Sequence, residues 1–97
     1  MIRHVALFTW DDQMTEAMER QFAAELTALV PKLEGLRSYY AGLDAGIVEG
    51  NYDFAVVADF DDVEAYLAYR ANADHQDIIS RFSGPHAVAR ASVQYEL

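Results

Sequence analysis

The sequence predicts a single α+β domain, a four-stranded antiparallel sheet with helices packed on one face. Three observations lead there. Segments rich in β-branched and aromatic residues lie at both ends and past the middle of the chain, stretches with helical apolar spacing fall between them, and Gly, Pro, Asp or Asn marks the switches. At 97 residues, 53% hydrophobic and 24% charged, the chain has the composition of one folded domain, assigned to residues 1–97.

Residues Ile2–Trp10 (IRHVALFTW) contain no Gly or Pro and read as a strand. One face carries Ile2, His4, Ala6, Phe8 and Trp10, the other Arg3, Val5, Leu7 and Thr9, and both are apolar enough to be covered. Over residues 15–30 the spacing turns helical, with Met18, Phe22, Leu26 and Leu29 in one stripe. Thr15 is the expected N-cap, Glu16 sits at the positive end of the helix dipole, and Pro31 ends or tightens the last turn.

Leu36–Leu43 (LRSYYAGL) reads as a second strand, and residues 44–51 as a polar, glycine-bearing loop. Residues 52–60 (YDFAVVADF) alternate cleanly as a third strand. Asp61 or Asp62 is expected to cap a helix over Val63–Ala71, a short helix over 74–82 is expected to end at Gly84-Pro85, and residues 88–96 close the chain as a strand. The resulting order, β-α-β-β-α-(α)-β, is the split βαβ or ferredoxin-like arrangement. Its helix-free face would hold Val5, Leu7, Ala55, Val57 and Val93, more apolar surface than a soluble monomer leaves in water. A second copy of the chain is the simplest cover, so a homodimer is expected.

Sixteen acidic residues against seven basic give a net charge of −9, a field that repels phosphate backbones and argues against nucleic acid as a partner. No apolar run approaches the ~20 residues of a membrane span and no signal-peptide pattern opens the chain, so a soluble, cytoplasmic protein without a membrane partner is expected. With no Cys, and no GxSxG, P-loop or GxGxxG motif, thiol chemistry, phosphoryl transfer and dinucleotide binding have no support.

Three stretches, HVALFTW near the start, NYDFAVVADFDDVEAYLAYRANADHQDI in the second half and RASVQYEL at the end, resemble the stress-responsive A/B-barrel (Dabb) domain family, over essentially the whole chain. The resemblance implies a homodimer whose two sheets form a dimeric α+β barrel. The family includes plant polyketide cyclases of the olivetolic-acid-cyclase type, heat-stable stress proteins and many bacterial members without an assigned role. In the cyclases a pocket lies between sheet and helices, with a Tyr on the second helix and a His six residues later carrying the chemistry. Carried over, this implies Tyr69 and His75 as catalytic residues, without a cofactor. His4, Ala6 and Phe8 would line the substrate pocket with Phe22, Leu26, Val56 and Ile78. The chain departs from the cyclase pattern at Asn72-Ala73, where many members have His-Pro, at His86, which replaces a pocket aromatic, and at Ala23 and Leu26, where the cyclase has larger rings. A differently shaped pocket follows.

Each candidate has a structural reading beside the chemical one. His4 is either a pocket imidazole or a core histidine satisfied by a backbone carbonyl or a Tyr. His75 would abstract a proton α to a carbonyl while Tyr69 donates to the enolate oxygen; otherwise Tyr69 packs under its helix and His75 caps the next one near Asp74 and Asp77. His75 and His86 share no two-histidine helical motif, so no metal site is expected. Trp10, Tyr39, Tyr40, Tyr52, Phe60 and Tyr66 read mainly as core and interface rings, and Asp59, Asp61, Asp62 and Glu64 as a strand end, a cap and a solvated helix start. The expected function is a homodimer binding a small apolar carbonyl compound, with polyketide-cyclase or aldol-type chemistry. The alternative is a non-catalytic stress-response or interaction protein with structural histidines. Cofactor-free monooxygenation, known in related barrels, has no dedicated motif here.

Overall fold

Period-two burial sets the sheet. The computed structural model describes residues 1–97, and in strand β1 (Ile2–Trp10) the buried positions are Ile2, His4, Ala6 and Phe8, one face of the pleat. Helix α1 (Glu16–Ala28) is capped by Thr15, whose Oγ1 accepts from the Met18 N–H at 3.1 Å, and buries Phe22 and Leu26 on the sheet. Pro31 lies in a 3-10 turn, Val30–Lys32. There follow β2 (Leu36–Leu43), β3 (Phe54–Phe60), α2 (Val63–Ala71) capped by Asp62, α3 (Ala73–Arg81) capped by Asn72, a one-turn α4 (Ser83–His86) and β4 (Ala87–Glu96). No helix is long and apolar enough to cross a membrane.

Most boundaries shift by a residue or two, and two of the differences have a clear cause. The third strand starts at Phe54 rather than residue 52. The Asp53 side chain takes over ladder duty there, its Oδ2 accepting from the Trp10 N–H at 2.8 Å. Gly84-Pro85 does not stop the last helix. The Phe82 N–H closes α3 on the Ile78 carbonyl, and Gly84 and Pro85 then sit inside α4. Glycine suits that turn because a Cβ at 84 would lie 3.0 Å from the Ile79 carbonyl oxygen.

The strands are ordered β2-β3-β1-β4, every neighbouring pair antiparallel, as the ferredoxin-like arrangement requires. Register aligns side chains into rows across the sheet. On the helix-free face one row reads Tyr40, Val57, Val5, Val93, an apolar band across all four strands. Below it Ser38, Asp59, Arg3 and Tyr95 form a polar row. There Arg3 donates twice to Asp59, at 2.7 and 2.8 Å, and Ser38 Oγ donates at 2.8 Å. The bidentate guanidinium holds the Asp59 carboxyl down at about 2. On the opposite face, Phe8, Phe22, Phe54 and Phe82 form a ring cluster closed by Trp10, whose Nε1–H donates to Glu19 at 2.7 Å.

Gly35 is the tightest point between the 3-10 turn and α2. Its φ is +77°, and an added Cβ would meet the Ala65 Cβ at 2.6 Å. Gly35→Ala should therefore destabilise the fold by about 2 kcal/mol or more in chemical denaturation. Unchanged stability would show that this turn yields without strain.

Candidate functional site

The inner face of the sheet carries three rows that define a site. Tyr39, Ala58, His4 and Gln94 form the first; Ala41, Val56, Ala6 and Ser92 the second; Leu43, Phe54, Phe8 and Arg90 the third. Helices bury the β3 and β1 members of these rows, and Tyr39 of β2. None of β4 is buried, and its inward positions beside His4, Ala6 and Phe8, namely Gln94, Ser92 and Arg90, are polar. Between this polar wall and the α2–α3 pair lies a cavity of about 460 Å³. Ala6, Phe8 and Val56 form its apolar floor, Phe22 and Leu26 of α1 one flank. Tyr66, Tyr69 and Arg70 come from α2, and His75, Gln76 and Ile79 from α3.

Asn72 brings Tyr69 and His75 together. It ends α2 with extended backbone (φ −62°, ψ 131°) and caps α3, its Oδ1 accepting from the His75 N–H at 3.0 Å. The chain turns back within one residue, so the imidazole of His75 lies against the phenol ring of Tyr69 with centroids 4.1 Å apart. The helix-capping role considered for His75 belongs to Asn72.

Both histidines are buried and neutral. Burial pushes His4 down to about 4, with His75, Arg90 and Arg70 adding to the effect. Gln94 Nε2 lies 2.9 Å from His4 Nδ1 and donates to it, which places the His4 proton on Nε2. His75 is likewise held below its usual range by burial, the Arg70 backbone carbonyl opposing part of the shift. Its Nδ1 is buried without a hydrogen-bond partner, leaving Nε2 as the nitrogen able to meet a ligand. Tyr69 is pushed up to about 12 by burial, and Tyr39 is raised as well. Their hydroxyls share a hydrogen bond of 2.9 Å. Both remain neutral phenols, and the arrangement in which Tyr39 donates leaves the Tyr69 proton free for a ligand oxygen. The site thus offers an unprotonated imidazole beside a phenolic donor.

Of the residues expected at the site, His4, Ala6, Phe8, Phe22, Leu26, Val56, Tyr69 and His75 all reach this cavity. Ile78 does not. It packs into the core at 5% exposure, and its neighbour Ile79, about a quarter turn round α3, faces the cavity instead. His86 also lies elsewhere: its Nδ1 is 3.1 Å from Asp11, beyond the end of β1. No group of three His, Asp or Glu side chains is placed to hold a metal ion. Arg70, Arg90 and Gln94 are not singled out as site residues in the sequence, and Tyr39 reads there only as a core or interface ring. The alternation of 88–96 against the His4 face of β1 was the available signal for Arg90 and Gln94.

Residues 2–97 match the family model described as Stress Responsive A/B Barrel Domain. A dimeric ferredoxin-like protein of unknown function from Thermobifida fusca is 38% identical, with TM-score 0.90, over 99% of this chain and 90% of that one. A Dabb family protein with a ferredoxin-like fold from Mesorhizobium loti is 20% identical, with TM-score 0.77, over 99% and 95%. The hydroxynitrile lyase of Passiflora edulis is 16% identical, with TM-score 0.82, over 99% and 92%. No curated protein matches the chain.

The buried imidazoles fix a pH dependence. His4 titrates at about 4 when folded against 6.5 when free, so the unfolded chain binds its proton first as the pH falls. Stability present above pH 6.5 should be lost between 6.5 and about 4, by up to ~3 kcal/mol from His4, with His75 acting in the same direction. The loss tied to Asp59 comes in a lower window, between 3.8 and about 2. Denaturation at a series of pH values checks this. His4→Gln should flatten the upper window, and a wild-type profile already flat there would contradict a buried neutral His4.

Proposed function

This chain belongs to the stress responsive A/B barrel domain family, and from there we propose a homodimeric protein whose cavity binds a small apolar carbonyl compound and activates it by proton transfer, as an aldol-type cyclase does. The observation that carries the reading is the pairing of a neutral imidazole with a neutral phenol, rings 4.1 Å apart, at one wall of an apolar-floored cavity.

The chemistry follows from the two protonation states. His75 Nε2 takes a proton from the carbon α to the ligand carbonyl; the C–H pair becomes the C=C bond of the enolate as the carbonyl π pair moves onto the oxygen. The Tyr69 O–H donates to that oxygen, with its own oxygen held by Tyr39. The enolate carbon then attacks a second carbonyl of the same molecule, and the new alkoxide recovers the proton from the His75 imidazolium. The charge relay begins and ends with both residues neutral. His4, its proton on Nε2 and its ring 4.9 Å from Tyr66, lines the site as a positioning group.

A non-catalytic reading draws on the bond between Tyr69 and Tyr39, which already satisfies the phenol. Hydrogen–deuterium exchange at the α-carbons of 2-octanone, followed by NMR in deuterated buffer, separates the two. The proposal expects exchange faster than with the same concentration of free imidazole, and a drop of about 100-fold in His75→Gln and in Tyr69→Phe with unchanged circular dichroism. Exchange no faster than imidazole alone would leave only the binding or structural role.

The dimer rests on the apolar row Tyr40, Val57, Val5, Val93, on exposures of 71% at Tyr40 and 53% at Val93, and on the Thermobifida relative being dimeric. Sedimentation should give twice the 10.9 kDa chain mass. Val93→Asp, a change at an exposed position of the single chain, should shift it to one copy. A wild-type monomer at micromolar concentration would refute the dimer.

A further inference from the structure

The cavity has an electrostatic character opposite to that of the whole molecule. The chain carries sixteen acidic residues, yet none of the fifteen residues lining the cavity is acidic, and two of them are arginines. Those two differ from the other arginines. Arg3 is held by Asp59, Arg20 by Glu16, Arg37 by Asp61, and Arg81 by Glu25 and Asp77. Arg70 and Arg90 alone among the six arginines have no carboxylate partner and donate no side-chain hydrogen bond.

Their placement gives that freedom a use. Arg70 follows Tyr69 on α2, on the roof side, while Arg90 stands on β4 opposite Phe8 with its guanidinium 5.5 Å from that ring. Ser92 and Gln94 extend the same polar wall, and Gln76 adds an amide from α3. The floor below is Ala6, Phe8 and Val56. A cavity with an apolar floor and two unneutralised guanidinium groups at its rim suits an amphipathic anion, since a guanidinium recognises a carboxylate through two parallel N–H donors. A molecule whose acidic head replaced the missing carboxylates would complete ion pairs that the fold leaves open.

We infer that the ligand of this cavity carries a carboxylate as well as its carbonyl, a keto acid whose acidic end is bound by Arg70 and Arg90 while its chain lies on Phe8, Val56 and Leu26. This deepens the reading of the preceding section and rests on it, because the same cavity holds Tyr69 and His75. Placing the carboxylate at the rim keeps the charged head in the wetter part of the site and the reacting carbonyl among the buried groups. The anion would also offset the two guanidinium charges that lie near His4.

Two probes of equal length separate the ideas: 7-oxooctanoate and 2-octanone share a methyl ketone, and only the first carries a carboxylate. Calorimetric titration of the full-length protein at low salt should show 7-oxooctanoate binding about tenfold more tightly or better. The ratio should fall as salt rises. In the doubly substituted Arg70→Gln, Arg90→Gln protein it should approach one, with each single variant in between. Both arginines are exposed, so the substitutions remove no ion pair or side-chain hydrogen bond of the fold, and only the Arg90 contact with the Phe8 ring is lost. Ketone binding with no gain for the keto acid would overturn the carboxylate inference and leave the cavity reading intact. A gain that persists in the double variant would overturn the assignment to these arginines. If neither probe binds, the cavity reading fails and the inference falls with it.

Discussion

A side chain on the inner face of a sheet is buried only where a helix lies over it, and in this protein the helices stop short of β4. Inner side chains of β1 and β3, with Tyr39 of β2, are sealed beneath α1, α2 and α3, and the ring cluster around Phe22 holds that contact together. The fourth strand has no such lid, and its middle inward positions are Arg90, Ser92 and Gln94, residues that tolerate water. The cavity is the step between the covered and uncovered parts of the sheet. Its apolar floor is continuous with the core, and its polar wall is continuous with solvent.

That step explains the electrostatics. His4 and His75 sit on the dry side, where a charged imidazole is penalised, and both remain neutral. The guanidinium groups of Arg70 and Arg90 sit on the wet side, without carboxylate partners. Neutral acid–base groups and fixed positive charge thus share one small volume without cancelling each other.

Much of this was legible in the sequence. Strand β1, helix α2 and strand β2 have the boundaries that alternation and capping predict, and the stripe Phe22, Leu26, Leu29 is buried as its spacing requires. What was not legible depends on phase and on partners. In the nine-residue α3, Ile78 and Ile79 are adjacent apolar residues, and only the helix's rotation against the core decides which one faces the cavity. Asn72 looked like a departure from a family pattern and is the cap that folds Tyr69 onto His75. Tyr39 looked like one core ring among several, because its bond to Tyr69 spans two elements 30 residues apart. Whether an arginine has a carboxylate beside it is likewise a tertiary fact, so Arg70 and Arg90 drew no attention as letters. The start of β3 moved for a similar reason, since a carboxylate standing in for a ladder bond is invisible until the neighbouring strand is in place.

The uncovered inner side of β4 has an evolutionary consequence. Arg90, Ser92 and Gln94 face the cavity and are not among the buried residues of the core. Ser92 can change at little cost to the scaffold, whereas Gln94 also holds the buried His4 and Arg90 stands over the Phe8 ring. Under the proposed function, the strand that would recognise a ligand and the interior pair that would act on it lie on different elements, so the wall can vary at Ser92 while the imidazole–phenol pair keeps its place.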